Sequence, residues 1–152
     1  MTLTRNVPLQ LDQSAMLFID VQNFAAHRKG AEFNDFSDVE FDIKYGWFFE
    51  QMKSTVVPNM QRLQAGFRKA GGEVLYTTIE SLTKDGRDRS LDYKITGFNV
   101  PKGSWDGKVI DELAPSDDEI VFPKSSSSVF VSTHIDYVLR NLGVKQLVIS
   151  GI

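Results

Sequence analysis

Cysteine is absent from the 152 residues of this chain, and histidine occurs only twice, at His27 and His134. A chain without cysteine forms no disulfide within these residues and offers no thiolate to a metal ion. Two histidines far apart in the sequence also exclude a histidine-rich metal site. We therefore expect no thiolate or histidine-rich metal site, and we predict neither a metal nor a cofactor.

Long hydrophobic runs and clustered positive charge are also missing. The longest apolar run, residues 15–19, is too short to span a membrane, and the amino-terminal MTLTRNVPLQLDQ lacks the apolar segment of a secretory signal. The formal net charge is -3, and the one basic cluster, residues 84–89, is interleaved with Asp85 and Asp88. We predict a cytoplasmic protein that binds neither nucleic acid nor a membrane.

The composition is that of one globular domain. Hydrophobic residues make up 41% of the chain and charged residues 24%, and a chain of 152 residues is long enough to bury a core. The sequence has no internal repeat, and its serine run at 125–128 is too short to be a linker. We predict a single domain over residues 1–152.

Four segments rich in Val, Ile, Leu, Phe or Thr have the composition of β-strands. They are AMLFI at 15–19, EVLYTTI at 73–79, EIVF at 119–122 and QLVIS at 146–150. Their weak polar alternation favours strands covered on both faces, as in a parallel sheet. Helical patterns lie between them, so we predict a three-layer α/β/α fold with a mostly parallel sheet.

The first clear helical pattern follows Pro58, which suits a first turn. Met60, Leu63 and Phe67 recur at helical spacing, and Gly71 supplies the stop. The preceding residues 47–57 form either a separate helix or an entry segment.

A second apolar stripe consists of Ile135, Val138, Leu139 and Leu142. Ser132 or Thr133 caps this predicted helix and Gly143 ends it. Residues 27–45 and 81–105 have the mixed composition of long loops, which often carry substrate contacts.

Asp20 and Lys124 are the strongest candidates for chemistry. Asp20 ends the first predicted strand, where it is either a turn residue or a general base. Lys124 follows the third, as either a surface lysine or the cation that balances Asp20. A parallel sheet can place two such strand ends side by side, at the edge where these sheets carry their sites. The pair could then orient and activate a third group.

Six further residues are weaker candidates for substrate binding, and each has a structural alternative. They are Gln22, Asn23, Phe24, Glu80, Arg87 and Tyr93. The first three follow Asp20, but Asn23 also suits a turn and Phe24 a core position. Glu80 follows the second strand, where a loop role is the alternative, and Arg87 suits either a substrate carboxylate or a solvated loop. Tyr93 suits an aromatic wall or a contact between subunits.

Several stretches, in this order, resemble the isochorismatase-like cysteine hydrolases. They are LFIDVQNF, VVPNMQRLQAGFRKAGGEVLYT, FPKSSSSVF with THIDYVLRNLGV, and the terminal LVISGI. The stretches TIESLTKDGRDRSLDYK and VPKGSWDGKVIDELAP look most like the ureidoacrylate amidohydrolase branch. The resemblance implies an isochorismatase-like, Rossmann-like sheet.

The resemblance implies a Cys-Asp-Lys triad, in which Asp20 and Lys124 match the family Asp and Lys. The family Cys lies a few residues beyond the position of Ile152, so we expect a domain truncated before the nucleophile and the last strands. Gly151 and Ile152 would stand at the edge of the loop that holds the oxyanion. Some relatives bind a metal through an Asp-x-His pattern near the second strand, where this chain has no histidine.

The implied activity is hydrolysis of a C–N bond in a small amide or ureido compound similar to ureidoacrylate. One alternative is an isochorismatase-type vinyl ether hydrolase, which uses the Asp as an acid and needs no Cys. Another is a non-catalytic short form that acts as a partner protein. Family members commonly form dimers or tetramers, so we also expect self-association.

Overall fold

The computed structural model describes residues 6–152, which form a four-stranded parallel sheet with helices on both faces. The strands are β1 (Ser14–Ile19), β2 (Glu73–Ile79), β3 (Ile120–Lys124) and β4 (Gln146–Gly151), in the order β3-β2-β1-β4. The helices are α1 (Asn23–Ala26), α2 (Asp38–Gln51), α3 (Val57–Lys69), α4 (Leu91–Thr96), α5 (Val129–Ser132) and α6 (Ile135–Asn141). The predicted α/β class and parallel sheet are confirmed. No helix in the described range is long and apolar enough to cross a membrane.

Alternate side chains of the central strands enter two separate cores. One core lies under α3 and contains Met16, Phe18, Val74, Tyr76, Met60 and Phe67. The other lies under α6 and contains Ala15, Leu17, Leu75, Phe122, Ile135 and Leu139. Because both faces of β1 and β2 are covered, these strands need apolar residues at successive positions, which explains their weak alternation.

The predicted stripe of α3 is wrong at one position. Met60 and Phe67 are buried, but Leu63 remains 41% exposed. Gln64 is buried in its place, and its side-chain amide donates hydrogen bonds of 2.7 Å to Tyr76 Oη and 3.0 Å to the Leu113 carbonyl. A search for apolar residues at helical spacing could not find this contact, because Gln64 is polar. It is buried since it forms a hydrogen bond with the buried hydroxyl of Tyr76.

The predicted loop at 27–45 is wrong from residue 38 onward, where α2 begins. Ser37 and Glu40 form a capping box: Glu40 N–H donates to Ser37 Oγ, and Ser37 N–H donates to Glu40 Oε2 at 3.0 Å. The spacing of Ser37 and Glu40 is the sequence signal for this helix start. A π-helical turn, Met52–Val56, then joins α2 to α3, so residues 47–57 belong to a nearly continuous helix.

The second predicted loop, 81–105, contains the short helix α4, which ends at Gly97 with a positive φ. The third strand also runs further than predicted, since it includes Pro123 and Lys124. Within the described sheet β3 is an edge strand, and an edge position tolerates the missing N–H of proline. The strand therefore carries Lys124 directly to the carboxyl edge of the sheet.

Candidate active site

Asp20 and Lys124 form an ion pair at the carboxyl edge of the sheet. Lys124 Nζ lies 2.8 Å from Asp20 Oδ2, and the exposed fractions of the two side chains are 5% and 15%. Removing an ammonium group from water is costly unless a charge of opposite sign compensates it. The contact therefore gives this buried lysine a partner, and it leaves the Asp20 carboxylate at the surface of a cavity.

The two strands that carry the pair are not neighbours, contrary to the expectation from sequence. β2 lies between β1 and β3, and its Thr77 is paired in register with both Ile19 and Phe122. Thr77 Oγ1 donates a 2.7 Å hydrogen bond to Asp20 Oδ1. Thr77 thus completes the site from the middle strand. Sequence reasoning missed it because a threonine inside a strand also satisfies the strand pattern.

The backbone at Asp20 is held in an unusual conformation. Asp20 has a φ of 53°, and it is the only non-glycine residue with positive φ among residues 6–152. Its N–H donates to the Thr77 carbonyl at 3.0 Å, and its carbonyl accepts from Gln22 N–H at 2.7 Å. Residues held in sparsely populated backbone regions persist where the surroundings fix them, and they cluster at functional sites.

A cavity of about 390 Å³ opens beside Asp20, and Gln22, Phe24, Ile79 and Ile152 also line it. Its walls are largely aromatic. The rings belong to Phe24, Phe33, Tyr45, Phe48 and Phe98. Two of these rings come from α2, which begins inside the first predicted loop, and one follows α4, which lies inside the second. This volume suits a small organic molecule.

Gln22 and Asn23 hold the surrounding loops in place. The Gln22 side chain accepts from Ile79 N–H at 2.5 Å and donates to the carbonyls of Ile79 and Asp106 at 2.9 and 3.0 Å. Asn23 is buried, and its side chain donates to the Trp105 carbonyl at 3.0 Å. Of the three residues predicted after Asp20, Gln22 and Phe24 line the cavity, whereas Asn23 supports it from behind.

The remaining predicted binding residues lie away from the cavity lining. Glu80 accepts a hydrogen bond from Gly103 N–H at 2.6 Å and borders a different cavity. Arg87 is exposed and pairs with Asp85 at 3.0 Å. Tyr93 packs its ring against Phe98 with 4.8 Å between centroids, so it contacts the wall without forming its surface.

Gly151 lets β4 approach β1 closely. A Cβ at this position would stand 2.6 Å from Ile19 Cβ, which real Cβ atoms do not tolerate. Ile152 N–H donates to the Ile19 carbonyl at 3.2 Å, and Ile152 lines the cavity. The glycine therefore places the next residue at the site. Within residues 6–152, no three His, Cys, Asp or Glu side chains are grouped so that they could hold a metal ion.

Comparison with known proteins identifies the family. The isochorismatase domain profile matches residues 14–152. The ureidoacrylate amidohydrolase RutB of Klebsiella pneumoniae subsp. pneumoniae is 28% identical over 156 residues, which cover 92% of this chain and 61% of that protein. The chain thus spans less than two thirds of this relative.

Solved structures agree with this assignment. A cysteine hydrolase from Pseudomonas syringae pv. phaseolicola 1448A matches 97% of this chain and 62% of its own, with a TM-score of 0.75 and 23% identity. N-carbamoylsarcosine amidase from Thermoplasma acidophilum matches 91% of this chain and 67% of its own, with a TM-score of 0.62 and 26% identity. These matches confirm the resemblance seen in the sequence motifs, and the chain belongs to the isochorismatase domain family.

Proposed function

We propose that this chain carries the acid–base part of a hydrolase site that cleaves a C–N bond in a small amide or ureido compound. The observation that supports this most directly is the nearly buried Asp20–Lys124 pair, 2.8 Å apart, beside a cavity of small-molecule size. The names of two relatives, an amidohydrolase and an amidase, point to the same bond.

In the proposed reaction Asp20 accepts the proton of a cysteine thiol. That cysteine is not among these 152 residues, and by family resemblance it follows the position of Ile152. Lys124 stabilises the charges on Asp20 and on the thiolate, and Thr77 keeps the Asp20 carboxylate in its orientation. The thiolate attacks the carbonyl carbon, the C–N bond breaks as the nitrogen takes a proton, and water releases the acid from the acyl-enzyme.

Ureidoacrylate is the specific substrate suggested by family resemblance and by the name of one relative. A ureido group presents a planar carbonyl and N–H donors, which suit a site with a carboxylate at its surface. Its acrylate part carries a negative charge, however, and the described wall of the cavity contributes no lysine or arginine. We therefore propose the broader class of amide and ureido compounds. Self-association and a cytoplasmic location remain predictions.

The test is a hydrolysis assay on the protein expressed from its natural gene, with no residues removed. Ammonia or amine release would be measured over a panel of ureas, N-carbamoyl compounds and primary amides, before and after treatment with iodoacetamide. We expect Asp20→Asn and Lys124→Met to lower kcat/KM by about 10²–10⁴-fold, which is the usual contribution of a positioned acid–base group.

Asp85→Asn is the matched control, because Asp85 also pairs with a cation but lies exposed on a loop. This variant should keep the activity of the parent protein. Full activity in Asp20→Asn would refute the proposed role of the pair. The isochorismatase-type alternative would be favoured if the protein cleaved a vinyl ether both before and after iodoacetamide treatment and cleaved no amide.

A further inference from the structure

The cavity beside Asp20 is acidic as well as aromatic. Asp20 and Glu32 are the charged side chains among its lining residues in the described chain, and neither a lysine nor an arginine joins them. Lys124 compensates the charge of Asp20 from outside the lining. Glu32 has no ion-pair or side-chain hydrogen-bond partner within residues 6–152. One carboxyl group at this site is therefore uncompensated.

Glu32 is exposed overall, but part of its surface lines the cavity. Partial burial raises the pKa of the Glu32 carboxyl above its ordinary value. Phe33 and Tyr45 line the same cavity as Glu32, and their rings pack edge-on with 4.9 Å between centroids. A positive charge in the cavity would compensate the carboxylate and interact favourably with the faces of these rings.

Three basic residues on the segments that carry the cavity walls are engaged with other groups. Arg28 Nη1 lies 2.6 Å from Asp42 Oδ1. Lys44 Nζ stands 4.3 Å from the centroid of the Phe36 ring. Arg89 donates to the carbonyl of Phe98 at 2.6 Å, so it supports a wall residue from behind. None of the three supplies a cation to the cavity lining.

This charge distribution selects among substrates. Like charges in a partly desolvated site repel, so an anionic substituent next to Glu32 is disfavoured. An aromatic or aliphatic body fits the rings, and a cationic end can pair with the unpartnered carboxylate. The geometry is thus suited to a substrate that is neutral at its reacting carbonyl and positively charged at its other end.

We propose that Glu32 is a specificity-determining residue that selects amide or ureido substrates with a cationic non-reacting end and rejects anionic ones. This inference depends on the proposed function, because it assumes that the cavity binds the substrate. It differs from the ureidoacrylate assignment in the sign of the charge that the site prefers.

The test uses three probes that share one scaffold and differ in charge. They are benzylurea, 4-(aminomethyl)benzylurea and 4-carboxybenzylurea, which are neutral, cationic and anionic at pH 7. Binding to the chain would be measured by calorimetry, so catalysis is not required. We expect the cationic probe to bind at least about tenfold more tightly than the neutral one, and the anionic probe to bind at least about tenfold more weakly.

Two substitutions of Glu32 test the assignment to this residue. Glu32→Gln should remove the preference for the cationic probe and leave the affinity for benzylurea within about twofold, since only the charge is lost. Glu32→Lys should invert the order, so that the anionic probe binds best. Glu73→Gln is the control, because Glu73 is exposed at the opposite end of β2, and it should preserve the parent order.

Added salt gives a measurement on the unaltered protein. The advantage of the cationic probe should shrink as NaCl is raised from 20 to 500 mM, values chosen to span about 20 to 4 Å in Debye length. Equal or tighter binding of the anionic probe, or a cationic preference that survives Glu32→Gln, would overturn the inference while the proposed function stands. Failure of all three probes to bind would also overturn the inference, and the hydrolysis assay with Asp20→Asn would decide the proposed function separately.

Discussion

Thr77 Oγ1 lies 2.7 Å from Asp20 Oδ1 and donates a hydrogen bond to it from the middle strand of the sheet. The adjacent residue, Thr78, is equally buried, but its hydroxyl has no hydrogen-bond partner among residues 6–152. The two residues thus form a natural pair for comparison, since they share a strand, a residue type and a degree of burial while only one of them contacts the carboxylate.

Thr77→Val should destabilise the protein, whereas Thr78→Val should not. A hydrogen bond to a charged group contributes about 1.5–3 kcal/mol, and Thr77→Val removes one without changing the shape of the side chain. Thr78→Val replaces an unpartnered hydroxyl with a methyl group, so we expect no loss of stability and a small gain. Urea unfolding of both variants measures the difference. A similar midpoint for the two variants would contradict the assigned role of Thr77.

Breaking the ion pair from one side should cost more than removing both charges. Lys124→Met leaves the Asp20 carboxylate without its cation, and loss of one partner of a buried pair typically costs about 3–5 kcal/mol. In the double variant Lys124→Met with Asp20→Asn, no charge is left unpaired. We expect its free energy of unfolding to exceed the value obtained by adding the two single effects. Strict additivity in a double-mutant cycle would show that the charges do not interact.

Gly151→Ala should destabilise the sheet edge and disturb the cavity. The added Cβ would collide with Ile19 on β1, and relief of that collision moves Ile152 away from the cavity lining. Gly66→Ala in α3 is the control, because a Cβ there would meet none of the described residues within 4 Å. Alanine within a helix is more favourable than glycine by about 0.5–1 kcal/mol, so the control should be more stable than the parent. Thermal unfolding should show a lower midpoint than the parent for Gly151→Ala and a higher midpoint for Gly66→Ala.

Stability in acid should depend on Glu119. Burial alone would raise the pKa of Glu119, but hydrogen bonds from Arg68, Ser116 N–H and Tyr76 outweigh it and lower the pKa below the ordinary 4.5. A depressed pKa means that the stabilisation is complete above the unfolded value and is lost as the pH falls below about 4.5. Glu119→Gln should therefore be less stable at pH 7 and show a shallower loss of stability in acid. The measurement is urea unfolding from pH 3 to 7.

Glu112→Gln provides the comparison for this prediction, since Glu112 is exposed and its side chain has no hydrogen-bond or ion-pair partner in the described part of the chain. The stability of Glu112→Gln should fall with pH in the same way as that of the parent protein. If Glu119→Gln and the parent lost stability in parallel over this range, the network around Tyr76 would not be the source of the acid sensitivity.

The strands and one charged pair could be predicted from sequence because their signals are local. Apolar segments without alternation indicated covered strands, and Asp20 and Lys124 each stood directly at a strand end. The order of the strands is set by long-range packing, which local patterns do not encode. The prediction therefore placed the two carrying strands side by side, and it could not identify Thr77 as the residue of the middle strand that contacts Asp20.

The cavity walls were harder to predict, because their helices have weak patterns. Helix α2 presents aromatic rings on several sides, and some of these, such as Trp47, remain exposed. The capping-box residues Ser37 and Glu40 do indicate a helix start, but the mixed composition of this segment favoured a loop. Glu32 gave no local signal, since it is an exposed glutamate like many others and only the fold brings it to the cavity.

The position of β2 between the charged residues has a consequence for folding. Asp20 and Lys124 are more than a hundred residues apart in sequence, and two separate crossover connections must be complete before they meet. During synthesis Asp20 emerges early and stays hydrated until β3 docks, because β3 brings its cation. The pair, and with it the site, therefore exists only in chains in which both β1 and β3 are docked on β2.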